Sequence, residues 1–286
     1  MNVDPYDINE NEAIELDLLL EAMARKYGHD FRDYSRSHLM RRVRQRMVMD
    51  DVGSVSELIH PVLNDPSVFQ ALLADLSINV TEMFRDPDFY LGLRREVAPV
   101  LRTYPFIKVW HAGCATGEEV YSMAILLDEE GLLDRSRIYA TDFNDAAVEQ
   151  AREGIYPVES IKAYTQNYQK AGGVRSFGDY YTARYDSVIM AARLRRNLVF
   201  TAHNLVTDGP FGEMHLVVCR NVLIYFNREL QGKVVKLFAE SLVPGGFLCL
   251  GSKESLRFCP HGGLFEPVSE ERRIFRKRRD ADQEGA

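Results

Sequence analysis

Apolar side chains recur at helical spacing through the first part of the chain, and no strand-like alternation interrupts them. Ile14, Leu18 and Met23 form one such series, and Leu39, Val43 and Met47 another. Ser54 stands three residues ahead of Glu57, a capping-box spacing that opens a further short helix. Asp65-Pro66 marks a turn before a helix over 68–76. Residues 9–76 are therefore predicted to be all-helical. After about residue 104 short apolar runs alternate with helical ones. Strands are predicted over 107–110, 137–141, 198–200, 215–219 and 246–250, and helices over 118–128, 145–152 and 228–242. This alternation implies an α/β domain with a parallel sheet covered on both faces. Residues 264–268 and 272–276 read as a terminal antiparallel pair joined at Glu270-Glu271. A stretch between the second helix and the third strand does not fit. Short antiparallel strands are predicted there at 180–182 and 188–195, and residues 157–196 read as an inserted β-subdomain.

Composition narrows the possibilities. The 286 residues allow one large domain or two ordinary ones, and 46% hydrophobic with 27% charged residues is a globular balance. The net charge of −7 argues against a nucleic-acid partner. Charge is uneven, however: between Arg25 and Arg46 eight Arg and Lys face two Asp, and a second basic run joins Arg272, Arg273, Arg276, Lys277, Arg278 and Arg279. Such patches suit either an acidic partner or a solvated surface. No apolar run approaches the length of a membrane span, and the first fifteen residues are acidic and polar, unlike a signal peptide. Cys114, Cys219, Cys249 and Cys259 have no metal-ligand spacing and read as reduced thiols of a cytoplasmic protein. The seven His residues form no ligand cluster, so no metal is expected.

The segment Val109-Trp110-His111-Ala112-Gly113-Cys114-Ala115-Thr116-Gly117-Glu118-Glu119 runs from strand through loop to helix. In doubly wound sheets this first crossover binds nucleotide-like ligands at the carboxyl ends of the strands. Its glycines are spaced GxxxG rather than GxGxxG, which disfavours a dinucleotide. The acidic pair at the helix start competes with a phosphate and favours a ligand carrying a cation, although both side chains also fit simple helix capping. Asp142 closes the second strand, where a carboxylate accepts hydrogen bonds from ribose hydroxyls, or else serves the turn Asp142-Phe143-Asn144-Asp145. Ribose, an ammonium and no phosphate together describe S-adenosylmethionine.

Four segments carry a family resemblance. Asn79-Val80-Thr81-Glu82-Met83-Phe84-Arg85 follows an Asn-x-Thr-x-x-Phe-Arg linker pattern, and residues 113–121 read GCATGEEVY. Ala151-Arg152-Glu153-Gly154-Ile155-Tyr156 and Cys219-Arg220-Asn221-Val222-Leu223-Ile224-Tyr225-Phe226 complete the set. Over roughly residues 15–276 the chain resembles the CheR-type protein-glutamate O-methyltransferases that modify chemotaxis receptors. The resemblance implies a Rossmann-like S-adenosylmethionine-dependent methyltransferase sheet with an all-helical N-terminal domain and a small inserted β-subdomain. Its domains would be a substrate-docking domain over 1–78, a linker and helix over 79–104, a methyltransferase domain over 105–280 and a disordered tail over 281–286.

By the same resemblance Asn79, Thr81 and Arg85 line the cofactor site from the linker. Ala112 and Gly113 form the cofactor loop, Glu119 holds the methionyl ammonium and Asp142 the ribose. Asn204 and Leu205 contact the adenosine part, and Arg220 and Asn221 flank the site. Arg85 and Tyr225 orient the acceptor carboxylate, with S-adenosyl-L-homocysteine as product. Because a glutamate with pKa of about 4.3 is ionised at neutral pH, no general base is required. Arg41, Arg42, Arg44 and Arg46 would dock the acidic helical bundle of a chemoreceptor. Some relatives hold a receptor C-terminal pentapeptide at a glycine-rich hairpin; here Ala183-Arg184-Tyr185-Asp186-Ser187 has no glycine, which implies tether-independent action. Two other readings stand beside this one: carboxyl methylation of a different protein, and an idle S-adenosylmethionine-binding adaptor. Adenine amino-group methylation is disfavoured, because Arg220-Asn221-Val222-Leu223 has no proline where those enzymes carry a Pro-Pro-aromatic motif.

Overall fold

The computed structural model describes residues 8–77 and 81–279. Asn79 and the tail predicted over 281–286 lie outside the described residues. The chain divides into two compact units: Met1–Ile78 with Tyr225–Gln231, and Asn79–Ile224 with Gly232–Ala286.

The first unit is built on four helices: α1 (Glu10–Tyr27), α2 (Arg36–Met49), α3 (Val55–Asn64) and α4 (Pro66–Leu76). Asn9 and Glu12 form a reciprocal capping box at the start of α1. At α3 the Ser54 hydroxyl caps Glu57, but the Glu57 carboxylate accepts from the Gly53 N–H at 2.9 Å, one residue earlier than the motif specifies. Asp65 caps α4 with Pro66 in its first turn, where the missing N–H costs nothing. The expected stripe on α1 is corrected. Ile14 and Leu18 are about half exposed, at 54% and 55%, and the buried positions are Leu16, Leu19, Leu20 and Met23. The run Leu18-Leu19-Leu20 offers two helical registers, and the one sharing a face with Leu16 and Met23 packs against the core. The segment Tyr225–Gln231 groups with these helices. Ser35 donates its N–H to the Tyr225 carbonyl at 2.8 Å, Asn227 donates to the Asp33 carbonyl at 2.8 Å, and Tyr34 bridges Phe226 in antiparallel fashion.

The second unit opens with α5 (Pro87–Gly92), which passes through one π turn (Leu93–Val97) into α6 (Ala98–Leu101). There follow β1 (Ile107–Ala112), α7 (Glu118–Glu129), β2 (Ser136–Asp142), α8 (Asp145–Glu153) and β3 (Ile155–Pro157). Next come α9 (Ile161–Lys170), β4 (Tyr181–Arg184), β5 (Ser187–Met190), α10 (Ala192–Arg195), β6 (Leu198–Ala202) and β7 (Met214–Cys219). Last are α11 (Arg228–Ser241), β8 (Leu242–Leu250), β9 (Phe265–Ser269) and β10 (Ile274–Lys277). The main sheet has seven strands in the order β6-β2-β1-β7-β8-β10-β9, parallel from β6 to β8 and antiparallel at β10 and β9. Strand order reverses between β1 and β7, which places a crevice at the carboxyl ends of these strands.

The small antiparallel sheet, β3-β5-β4, corrects two sequence expectations. It takes a third strand from Ile155–Pro157, directly after the αL residue Gly154 ends α8. The strand expected over 188–195 stops at Met190; Ala191 donates to the Tyr180 carbonyl, and Ala192–Arg195 is a helical turn that buries Leu194. The insert also contains helix α9, whose Tyr164 and Tyr168 are buried.

This insert is fastened to α7 through Glu129, whose side chain is fully buried. Its carboxylate accepts hydrogen bonds from Tyr168, from Tyr180 at 2.9 Å and from the Val174 N–H at 3.2 Å, and pairs with Arg94. Removing one partner of such a buried group strands the others. Glu129→Ala is expected to lower unfolding free energy by about 3–5 kcal/mol, read from urea denaturation. A loss of under 1 kcal/mol would exclude this anchoring role.

Candidate functional site

The site is assembled by the turns that leave β1, β2 and β7. Thr141 pairs with Ala112 across β1 and β2, and its carbonyl accepts both the Gly113 N–H (2.8 Å) and the Cys114 N–H (2.9 Å). The turn therefore folds over the end of β2. Gly113 lies at φ +81°, and a Cβ there would meet a Val222 methyl at 2.5 Å. Gly117 lies at φ +91° where Ala151 leaves no room. Both glycines are thus required by backbone conformation and by close approach.

Gly117 occupies the cap position of α7, and the two acids that follow it hold side-chain partners. Glu118 is buried and accepts the Thr116 hydroxyl at 2.7 Å. Burial, only partly offset by Thr116, raises its carboxyl to about 7. Glu119 receives the Arg220 guanidinium at 2.7 Å and lies 3.2 Å from Nδ1 of His111. Burial pushes the Glu119 carboxyl up, but Arg220 and His111 outweigh it and hold the group at about 2.

The Arg220 side chain is 2% exposed. It also binds Asp86 at 2.6 Å and the Arg85 carbonyl at 3.4 Å, and lies 4.2 Å over the ring of Phe89. Asp142 accepts from the Ala115 N–H (3.0 Å) and the Asn144 N–H (3.1 Å). Burial raises its carboxyl, restrained by those backbone donors. The cap of α8 is Asn144 and not Asp142, since the Asn144 side chain accepts from Ala146 and Ala147.

Several expected residues thus meet in the second unit: Ala112, Gly113, Glu119, Asp142, Arg220 and Asn221. Asn221 lies in the left-handed region at φ +63°. The His203 N–H joins the end of β6 to the Asp142 carbonyl at 3.1 Å. Beyond it the Asn204 side-chain oxygen accepts the Val206 N–H at 3.0 Å, so that oxygen serves its own turn, and Leu205 is half-buried there. Thr81 and Arg85 are half-buried. Tyr225 belongs to the helical unit, where its ring lies 4.6 Å from that of His38.

The docking arginines divide into two pairs. Arg44 binds Glu12 at 2.9 Å, and Arg46 binds Asp75 and Asp50. Arg41 is exposed, and Arg42 reaches Gln45 on its own helix at 3.2 Å. Much of the basic stretch is therefore neutralised within its unit.

Three contributors carry no motif signal: Asp86, His111 and Glu254. Glu254 is buried and gathers backbone N–H groups from the turn after β7. A lone acid within Gly251-Ser252-Lys253-Glu254 gives no such hint in sequence. His111 was visible only as a polar residue in an apolar strand.

Two carboxylates around one guanidinium, with Asp142 in the adjoining turn, leave an excess of negative charge suited to a cationic ligand. Nε2 of His111 and Nε of Arg220 are buried without a hydrogen-bond partner among the described residues, as expected where a polar ligand completes the set. No group of acids, His and Cys among the described residues is arranged to hold a metal ion. The four cysteines are free.

Comparison with known proteins agrees with this chemistry. The model described as "CheR methyltransferase, SAM binding domain" matches residues 79–274, and "CheR methyltransferase, all-alpha domain" matches 14–77. The chain belongs to the CheR methyltransferase family. It binds S-adenosylmethionine and is an S-adenosylmethionine-dependent methyltransferase of the protein-glutamate type. A protein of Pseudomonas putida carrying the name Cher3 is 54% identical over 93% of this chain and 98% of its own length. A 104.1 kDa protein encoded in the hypE 3′ region of Rhodobacter capsulatus is 33% identical over 79% of this chain but only 24% of its own length. The chemotaxis protein methyltransferase of Listeria monocytogenes is 29% identical over 81% of this chain and 86% of its own. No helix among the described residues is long and apolar enough to cross a membrane.

Two outcomes test the CheR-family site. Gly113→Ala combines a left-handed backbone with a clash on Val222, and is expected to weaken S-adenosylhomocysteine binding roughly tenfold or more in calorimetry. Wild-type affinity would show that the turn can relax. For Glu118, the folded carboxyl titrates at about 7, above its unfolded value. Its contribution to stability is then fully present below the unfolded pKa of about 4.3 and is lost as pH rises through 7. Denaturant unfolding of wild type and Glu118→Gln should therefore diverge with pH in that window, with wild type losing ground toward pH 8. Parallel pH profiles would contradict the assignment.

Proposed function

We propose that this chain methylates glutamate side chains on the cytoplasmic helical bundle of chemoreceptors, working in the cytoplasm and tuning bacterial sensory adaptation. The observation that carries the reading is the turn after β7. Arg220-Asn221-Val222 is fixed beside the cofactor loop, with Val222 against Gly113, and runs on into Leu223-Ile224-Tyr225-Phe226 without a proline. Relatives named chemotaxis protein methyltransferase, matched over most of their own length, support the choice of acceptor.

S-adenosylmethionine supplies the methyl group on an activated sulfonium and leaves as S-adenosylhomocysteine. The acceptor carboxylate is already ionised, so the chain's own task is placement and exclusion of water. Alignment of this kind supplies roughly 7–11 kcal/mol in well-oriented reactions. In this reading Glu119 and Asp142 meet the cofactor's ammonium and ribose, with Asn79, Thr81, Asn204, Leu205 and Asn221 completing its surroundings. Arg85 and Tyr225 orient the acceptor carboxylate.

Arg41 and Arg42 meet the receptor's acidic surface, because Arg44 and Arg46 already hold acids of their own unit. The receptor pentapeptide is not required. The hairpin between β4 and β5 turns through Tyr185-Asp186 with Tyr185 fully exposed and no glycine.

The test is methyl transfer to purified receptor cytoplasmic bundles, scored as base-labile methyl ester. Wild type should label bundles with and without the C-terminal pentapeptide equally, and Asp142→Ala should not label them. Tyr225→Phe should lower kcat by about tenfold or more. Arg41→Ala with Arg42→Ala should raise KM for the bundle, and wild-type KM should rise steeply with salt. Cofactor binding without transfer to any bundle would favour the adaptor reading instead.

A further inference from the structure

The buried carboxylate of Glu254 lies outside the cofactor loop and outside the four sequence segments that carry the family resemblance. Its Oε1 accepts the Val222 N–H at 2.8 Å and the Ile224 N–H at 3.4 Å. Its Oε2 accepts the Asn221 N–H at 3.1 Å and the Gly251 N–H at 2.5 Å. One side chain, 4% exposed, therefore satisfies four backbone donors at the carboxyl ends of β7 and β8. Space around it is already filled: a Cβ on Gly251 would meet the Asn221 nitrogen and the Glu254 carboxylate, each at 2.8 Å.

The clamped turn contains Asn221 at φ +63°, in the left-handed region that asparagine tolerates better than most L-residues. It directly follows Arg220, which holds Glu119, and it carries Val222, which closes on Gly113. Few other groups could replace the carboxylate. An amide presents a donor to this ring of donors, and a shorter or apolar side chain leaves buried N–H groups unpaired.

We infer that Glu254 is a positioning residue for S-adenosylmethionine, fixing the turn 220–224 against the cofactor loop through its four backbone hydrogen bonds. The inference rests on the methyltransferase reading of that loop and does not depend on which protein is methylated.

The test compares full-length wild type, Glu254→Gln and Glu254→Asp by amide hydrogen exchange without ligand and by calorimetry with S-adenosylhomocysteine. In Glu254→Gln the amides of residues 221–224 should exchange faster while those of β1 and β7 stay protected. Affinity for S-adenosylhomocysteine should fall about tenfold or more, as expected for buried donors left unpaired. Glu254→Asp keeps the charge and should recover part of both protection and affinity. Should Glu254→Gln fail to fold, Glu254→Asp alone carries the comparison, with local loss of protection and weaker binding as the supporting result. Wild-type affinity and protection in both variants would overturn the inference. So would a uniform loss of protection across the sheet, which marks a purely structural role. No methyl acceptor is present in either measurement, so failure to find an acceptor leaves this result standing.

Discussion

The ion pair between Arg220 and Glu119 is the constraint around which the second unit is arranged. A guanidinium this deeply buried is tolerated when its charge is matched by a carboxylate, because an isolated buried charge costs several kcal/mol. Glu119 comes from the first turn of α7, Asp86 from the segment before α5 and Phe89 from α5 itself. To bring Asp86 into place the chain passes twice through the left-handed region, at Phe84 (φ +54°) and Asp86 (φ +56°). Non-glycine residues hold that conformation only when other contacts overdetermine it. Here the Phe84 N–H donates to Ser122 at 2.9 Å, and its ring packs among Tyr90, Tyr168 and Phe177. The linker's shape is therefore set by the demands of one buried cation.

Three other acids in this unit are buried without a guanidinium, by two different means. Asp142 and Glu254 stay within a hydrogen-bond cage of backbone N–H groups, which act as fixed dipoles at the ends of strands. Glu118 has a hydroxyl partner and is driven toward its neutral form. Glu119, at the same site, is neutralised by a full opposite charge. Acids with such different surroundings, drawn from the carboxyl ends of β1, β2 and β8, divide the work. One set shapes the turns, and the other sets the local field.

Most of the fold was legible in the sequence, because buried parallel strands read as short apolar runs and each lies next to a helix of clear period. The strands β1, β2, β6, β7 and β8 all lie where those runs predicted. Legibility failed where periodicity is degenerate or absent. The leucine run of α1 fits two faces, and only packing selects the one that leaves Ile14 and Leu18 outside. The strand Ile155–Pro157 is too short to alternate, and the apolar residues of 188–195 serve both a strand and a helical turn. At the site, glycines and acids in one continuous loop were readable. Pairings across long separations were not: Arg220 with Asp86, or Glu254 with the turn at 221–224, leave no mark in local spacing. The basic stretch also reads differently in three dimensions, since the acids that pair with Arg44 and Arg46 sit on α1 and α4 or at the end of α2.

The helical unit is not one continuous piece of chain, since Tyr225–Gln231 belongs to it although the strands β1 to β7 intervene in the sequence. Cutting the gene after the fourth helix would therefore not yield two modules. One fragment would lack the strip that pairs with Tyr34 and Ser35, and the other would keep that strip with nothing to pair against. Recombination at that point is correspondingly handicapped. The helical portion and the methyltransferase sheet are expected to travel together through duplication and fusion as a single inheritable unit.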